Sequence, residues 1–190
     1  MKTFIVLDLE ATCYDKNNNT EIKPKGFQNE IIEIGAYKVT EAGEVIDSFE
    51  KFLKPKKFPF ISKFCNSLTT ITQQDIDYAD DAKNVLIQFF AWARENKSEP
   101  IYVSWGHYDK RQLRDDLRIN GFSQPMIDEF INDKNHISLK HWYGEHKNIK
   151  PCGLGRAIEL EKFTFEGVAH RGIDDAKNIT KIFNRYRQVI

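Results

Sequence analysis

The run Phe4-Ile5-Val6-Leu7-Asp8-Leu9-Glu10-Ala11-Thr12 sets two carboxylates one residue apart at the end of a strongly apolar stretch. It reads as a strand. Successive side chains of a strand point to opposite faces, so Asp8 and Glu10 share one side while Leu7 and Leu9 take the other. Two like charges held so close repel each other, and a site that keeps both ionised needs a cation between them. Asp-x-Glu also arises by chance where a strand ends in solvated acids, so other parts of the chain must decide what the pair is for.

Two further segments bear on that choice. His170-Arg171-Gly172-Ile173-Asp174-Asp175-Ala176 opens a stretch in which Ile173, Ala176, Ile179, Ile182 and Phe183 recur at helical spacing, so His170 and Asp175 flank the first turn of a terminal helix. An acid there favours the helix dipole, so Asp174 and Asp175 each also suit a plain helix start. Between the two lies Pro100-Ile101-Tyr102-Val103-Ser104-Trp105-Gly106, a buried strand rich in β-formers that ends in a glycine turn. A helix follows it, with Leu113 and Leu117 on one face. Asp109 falls in its first turn, beside the carboxyl end of a strand, where open α/β sheets place their ligands.

Taken together, these motifs resemble the DEDDh, or DnaQ-like, 3′–5′ exonuclease superfamily. The first matches Asp8-Leu9-Glu10-Ala11-Thr12, the second Ser104-Trp105-Gly106-His107-Tyr108-Asp109, and the third the His-x-x-x-x-Asp pair His170 and Asp175. The stretch from Ser62 to Gln73 is similar to the Eri-type exoribonuclease branch and its bacterial relatives. The resemblance runs from Phe4 to about Phe183, and three motifs in order are far more specific than any one. One residue departs from the pattern: His107 stands where the second motif commonly carries an acid or a small polar residue. It reads as a solvated residue at a helix start, and Asp109 itself is in place.

Length and composition bound the rest. A chain of 190 residues buries about 70% of its unfolded surface, so residues 1–190 are expected to form one exonuclease domain. Lys plus Arg equal Asp plus Glu at 28 each, which argues against an extended grip on duplex phosphates. An enzyme that holds only a few nucleotides at a strand end needs few basic contacts. Lys54-Pro55-Lys56-Lys57 is the densest basic cluster and reads as a solvated loop. Cys13, Cys65 and Cys152 lack a zinc spacing and suggest no disulfide scaffold, so free thiols in a reducing, cytoplasmic compartment are expected. Met1-Lys2-Thr3-Phe4 lacks a secretory pattern, and the apolar run after it is too short to span a membrane.

The remaining elements follow from periodicity. Glu30 to Val39 and Glu44 to Leu53 read as strands joined by a hairpin at Glu41-Ala42-Gly43, and Ala82 to Glu95 as an amphipathic helix. The polar run Asp15 to Thr20, with Pro24 and Gly26, reads as a surface loop. His136, His141 and His146 lack the spacing of a helical zinc site and read as structural or exposed. Pro151 to Ala157 has no dinucleotide fingerprint and reads as the start of a helix. Strands first, then alternating helix and strand, suggest an α/β domain with a mixed sheet. The resemblance adds an RNase H-like five-stranded mixed sheet with helices on both sides.

The resemblance also implies a chemistry. Asp8, Glu10, Asp109 and Asp175 are hard oxygen donors that select two Mg²⁺ or Mn²⁺ ions, with Asp8 bridging both. Glu10 and His170 count as catalytic, His170 taking the proton of the attacking water. Phe64, Leu68 and Tyr108 would sandwich the terminal base, Leu9 would wedge below it, and Ala11 and Thr12 would meet the sugar. The expected activity is metal-dependent release of nucleoside 5′-monophosphates from a nucleic acid 3′ end, RNA favoured and single-stranded DNA open. A DNA proofreading subunit and a non-catalytic nucleic-acid-binding module are the alternatives. A serine hydrolase is disfavoured, because no Gly-x-Ser-x-Gly elbow is present.

Overall fold

The computed structural model of the protein describes residues 2–15, 21–95 and 99–190. Strands β1 (Thr3–Ala11), β2 (Ile31–Thr40) and β3 (Val45–Phe52) come first. Helices α1 (Lys63–Thr69), α2 (Gln73–Asp77) and α3 (Ala82–Ala93) lead to strand β4 (Ile101–Ser104). Next, α4 (Tyr108–Ile119) and α5 (Gln124–Phe130) lead to strand β5 (His136–Ser138). Helices α6 (Leu139–Lys147), α7 (Leu154–Leu160) and α8 (Gly172–Tyr186) follow. The strands form one sheet in the order β3-β2-β1-β4-β5. Its β1–β2 and β2–β3 pairs are antiparallel, and its β1–β4 and β4–β5 pairs parallel, so the sheet is mixed as expected.

Alternation along β1 divides the core in two. Ile5, Leu7 and Leu9 face one side, where Leu86, Phe89 and Phe90 of α3 and Leu113 and Leu117 of α4 pack. Phe4 and Val6 face the other, against Tyr143 of α6, Ile158 of α7 and Ile179, Ile182 and Phe183 of α8. The Phe4 and Phe183 ring centroids are 4.8 Å apart. Each fully buried side chain of this size stabilises the fold by roughly 1.5–3 kcal/mol, so the helices on both faces are held chiefly by these contacts. Asp8 and Glu10 prolong the Phe4–Val6 row, and that row brings them under the start of α8.

The hairpin between β2 and β3 turns where the sequence places it, with Gly43 at φ 87° and its N–H donating to Thr40 O at 2.9 Å. Of the expected loop from Asp15 to Thr20, residues 16–20 lie outside the described residues, while Gly26 turns in a loop at φ 77°. The segment from Ser62 to Gln73, matched above only by resemblance, folds into α1 and the start of α2. Ser62 caps α1 by accepting from Cys65 N–H, and Thr72 with Asp75 forms a reciprocal capping box on α2. No helix among the described residues is long and apolar enough to cross a membrane.

The start of α8 is fixed by backbone-to-backbone contact. A Cβ on Gly35 of β2 would lie 2.0 Å from both Gly172 C and Ile173 N, and one on Gly172 would lie 3.0 Å from Gly35 N and 3.1 Å from Asp8 O. Neither backbone can retreat without dragging a central strand or a terminal helix. Gly35→Ala is therefore expected to lower stability by more than about 2 kcal/mol, read as the midpoint of urea unfolding. A midpoint close to that of the unmodified protein would show that α8 can shift freely away from β2.

Candidate active site

β1 and β4 run parallel and adjacent, Phe4 opposite Ile101 and Val6 opposite Val103, so their carboxyl ends finish side by side. Asp8 and Glu10 lie at the end of β1. After β4 the chain turns at Gly106, φ 125°, and enters α4, whose first turn carries Asp109. Asp109 is only 5% exposed. On the far side, Asp175 sits in the first turn of α8. Three elements distant in sequence thus bring four carboxylates to one end of the sheet.

The two adjacent acids of the third motif have different tasks. Asp174 turns back to its own loop and accepts from Val168 N–H at 2.8 Å. Asp175 accepts from the backbone N–H of His170 at 2.9 Å, and ligand atoms of Glu10, His170 and Asp175 lie within 4.8 Å of one another, close enough to share a metal ion. His170 is exposed and holds φ 63°, a left-handed conformation unusual for a non-glycine residue. That turn presents its ring beside the acids.

The net electrostatic balance at each acid of the cluster is unfavourable to charge. Burial, then Asp109, Glu10, Asp175 and Glu33, raise the Asp8 carboxyl well above the usual carboxylate range. Burial and neighbouring acids, Asp175 first among them, push Glu10 up to about 8. Asp109 rises to about 6 through burial, even though the Ser104 hydroxyl and the Leu9 N–H favour its charged form. Burial raises Asp175 too, against the pull of the His170 N–H. Such a group of hard oxygen donors, each made reluctant to ionise chiefly by burial, fits a divalent cation.

The six residues expected around a terminal nucleotide divide by exposure. Tyr108 is 43% exposed, and Phe64 and Leu68 are half-buried. Leu9, Ala11 and Thr12 are 5%, 8% and 1% exposed, with Leu9 in the apolar core and the Thr12 hydroxyl accepting from Glu30 N–H at 3.0 Å. His107 is exposed at the N-cap of α4, as expected, and stacks on His141 with ring centroids 4.6 Å apart.

Several residues near the site carry no motif of their own. Glu33 of β2 is fully buried and stands opposite Glu10 in register. Its carboxylate accepts from Arg171 Nε at 3.2 Å, Arg171 NH2 at 3.0 Å and Gly172 N–H at 3.0 Å. This fork holds the turn that carries His170. Only an acid in an apolar strand, Ile-Ile-Glu-Ile, could have hinted at it. His136 reaches the site indirectly: its Nε2 is 3.0 Å from Ser104 Oγ, the hydroxyl that also bonds Asp109. Cys13 and Cys65, 52 positions apart by their numbers, meet thiol to thiol, and that hydrogen bond holds Cys65 down to about 7.

The sheet order, the flanking helices and the acid cluster at the strand ends define an α/β fold of the DEDDh nuclease type. A sequence model of the exonuclease family matches residues 5–183, nearly the whole chain, and the protein belongs to that family. The 3′–5′ exonuclease Snipper of Drosophila melanogaster is 28% identical over 92% of this chain and 66% of its own length. The 3′–5′ exoribonuclease 1 of Mus musculus is 29% identical over 96% of this chain and 52% of its own. The chain therefore spans about half to two thirds of the length of these relatives. The nuclease domain of 3′hExo, a DEDDh family member, bound to rAMP superposes with a TM-score of 0.83 at 26% identity, covering 98% of this chain and 92% of that one.

The raised acids give a pH dependence with a definite sign. Each binds its proton more tightly folded than unfolded, so its stabilising contribution is complete at low pH; for Asp109 and Glu10 it is lost as pH rises through about 6 and about 8. A divalent cation competes with those protons. The rise in melting temperature on adding Mn²⁺ to chelator-treated protein should thus be larger near pH 8 than near pH 5, by scanning fluorimetry. Equal rises at both pH values would mean that the ion does not bind these carboxylates.

Proposed function

We propose that this chain is a metal-dependent 3′–5′ exonuclease that removes nucleotides one at a time from the 3′ end of single-stranded RNA and releases nucleoside 5′-monophosphates. Single-stranded DNA is a second substrate open to the same site. The observation that carries this reading is the convergence of Asp8, Glu10, Asp109 and Asp175 at the ends of β1 and β4 and the start of α8, with His170 exposed beside them. RNA is placed first because of the exoribonuclease and rAMP-bound relatives. Residues 1–190 act as one exonuclease unit, and the free thiols Cys13, Cys65 and Cys152 suit a reducing compartment such as the cytoplasm.

Asp8, Glu10, Asp109 and Asp175 would hold two Mg²⁺ or Mn²⁺ ions. Bound there, the ions would offset negative charge on the oxygens of the phosphodiester during an in-line displacement. His170, exposed at its turn, accepts the proton of the attacking water, and Asp175 and the Glu33–Arg171 fork keep that turn in place. The water oxygen bonds to phosphorus, and the bond to the 3′ oxygen of the preceding nucleotide breaks. Tyr108, with Phe64 and Leu68, flanks the terminal base. Stacking of this kind accepts successive different bases, as a trimming enzyme must. By the family resemblance Leu9 would wedge below that base, and Ala11 and Thr12 would meet the sugar.

Asp8→Ala, Glu10→Ala, Asp109→Ala and Asp175→Ala should each lose most of the nuclease rate while remaining folded, and a chelator should abolish activity of the unmodified protein. A 5′-labelled single strand, followed over time, should show shortening by one nucleotide per step. Near-normal turnover in any two of these variants, or cleavage of a circular strand, would overturn the assignment.

His170→Ala should lower the rate by roughly 10²–10⁴-fold yet keep Mn²⁺ affinity, as expected for loss of a general base. Titration of the variant with Mn²⁺ distinguishes the roles. A collapse of affinity would make His170 a ligand alongside Glu10 and Asp175.

A further inference from the structure

Beyond the acid cluster, the surface next to Tyr108 carries rings and lysines that the mechanism above does not use. Tyr14 and Phe27 meet edge to face at 4.8 Å between centroids, and Phe27 continues to Phe58 at 5.4 Å. All three are half-buried. Lys23 Nζ lies 5.2 Å from the Phe27 centroid. The shelf adjoins the site: Asn29 donates to the Tyr108 hydroxyl at 3.4 Å, and its carbonyl accepts from Gln112 Nε2 at 2.8 Å.

Charge is concentrated on the same loops. Residues 21–28 and 54–58 hold five lysines, Lys23, Lys25, Lys54, Lys56 and Lys57, against one acid, Glu21, in a chain whose charges balance as a whole. Glu21 is spent on the start of α1, accepting from Lys63 N–H at 2.8 Å and Phe64 N–H at 3.3 Å. All five lysines are exposed. Lys56 and Lys57 direct their ammonium groups to neutral oxygens, Ile119 O at 3.2 Å and Gln28 Oε1 at 2.9 Å, and neither forms an ion pair among the described residues.

The loops are also held rigid. Glu30, 1% exposed, accepts from the backbone N–H groups of Lys56, Lys57 and Phe58 at 2.7–3.0 Å, and its own backbone pairs with Thr12 at the end of β1. Burying a carboxylate to fix three consecutive N–H groups keeps Phe58 and the lysines at a set position relative to β1. Aromatic faces with a basic fringe, continuous with a strand-end site, suit single-stranded nucleic acid: bases stack on the rings while the lysines meet phosphates.

We propose that Tyr14, Phe27 and Phe58, with Lys23, Lys25, Lys56 and Lys57, form a second contact that grips the single strand upstream of its terminal nucleotide. This rests on the exonuclease reading. The enzyme would therefore favour strands long enough to reach the shelf over a dinucleotide, which fills only the terminal pocket.

The test compares a dinucleotide with a single-stranded RNA of about a dozen residues, in the unmodified protein and in the Phe27→Ala/Phe58→Ala and Lys56→Gln/Lys57→Gln variants. Each variant should reduce the ratio of kcat/KM on the long strand to that on the dinucleotide by about tenfold, chiefly through KM. The lysine variant should also flatten the slope of log KM against log salt by about 0.7 per lysine removed. An unchanged ratio in the lysine variant, whose exposed substitutions leave the core intact, would overturn the proposal. Anisotropy of the labelled long strand, measured in chelator, reads the shelf without turnover. Weaker binding by both variants supports the shelf even if no nuclease activity is found, and unchanged binding rejects it even if the exonuclease reading holds.

Discussion

The backbone contact between Gly35 and Gly172 is what the rest of this site depends on. Two glycines without side chains let the first turn of α8 settle against the middle of β2 and the carbonyl of Asp8. Glu33, two residues before Gly35, then takes the Arg171 guanidinium and the Gly172 N–H in one buried fork. The position of a terminal helix relative to a central sheet is thereby fixed within bond lengths. Asp175 and His170, more than 160 positions from Asp8 by their numbers, can share a site with it only because of this seating.

A site assembled this way opposes its own folding. Four carboxylates converge where burial and mutual repulsion raise each one's pKa, and β1 carries two of them in the row that also builds the core under α8. The apolar contacts of Phe4, Val6, Ile179 and Phe183 hold that row in place against the repulsion. The arrangement is tolerable because protons or cations can offset the charge, and under the proposed function a phosphodiester arriving at the strand ends would meet groups that are already oriented.

Overall neutrality conceals how unevenly charge is distributed. Acids gather at the ends of β1 and β4, while lysines gather on the loops around Phe27 and Phe58. Glu30 links the two regions: its backbone pairs with Thr12 at the end of β1, and its buried carboxylate accepts from backbone N–H groups of the lysine loop. The sum of charges in a chain says little about its affinity for nucleic acid when opposite signs occupy neighbouring surfaces with different tasks.

Local patterns in the chain were enough to identify β1, the β2–β3 hairpin, α3, β4 and the starts of α4 and α8, because each combines a clear period with a turn or cap. The three motifs were legible for the same reason, since each acid sits at a strand end or a helix start. α1 and α2 are too short to show a period of their own, and their caps at Ser62 and Thr72 emerged only in the fold. β5, at three residues, is defined only by its pairing with β4. Resemblance singled out Asp175, but the turning of Asp174 back to its own loop, the fork at Glu33, the meeting of Cys13 with Cys65 and the link from His136 to Asp109 through Ser104 were decided by tertiary structure alone. Sequence determined which chemistry the chain can carry, because residue type and local period are properties of neighbours in the chain. Only the packing of α8 on β1 and β2 decided which side chains share a site, because that depends on contacts between segments whose separation in sequence holds no record of their separation in space.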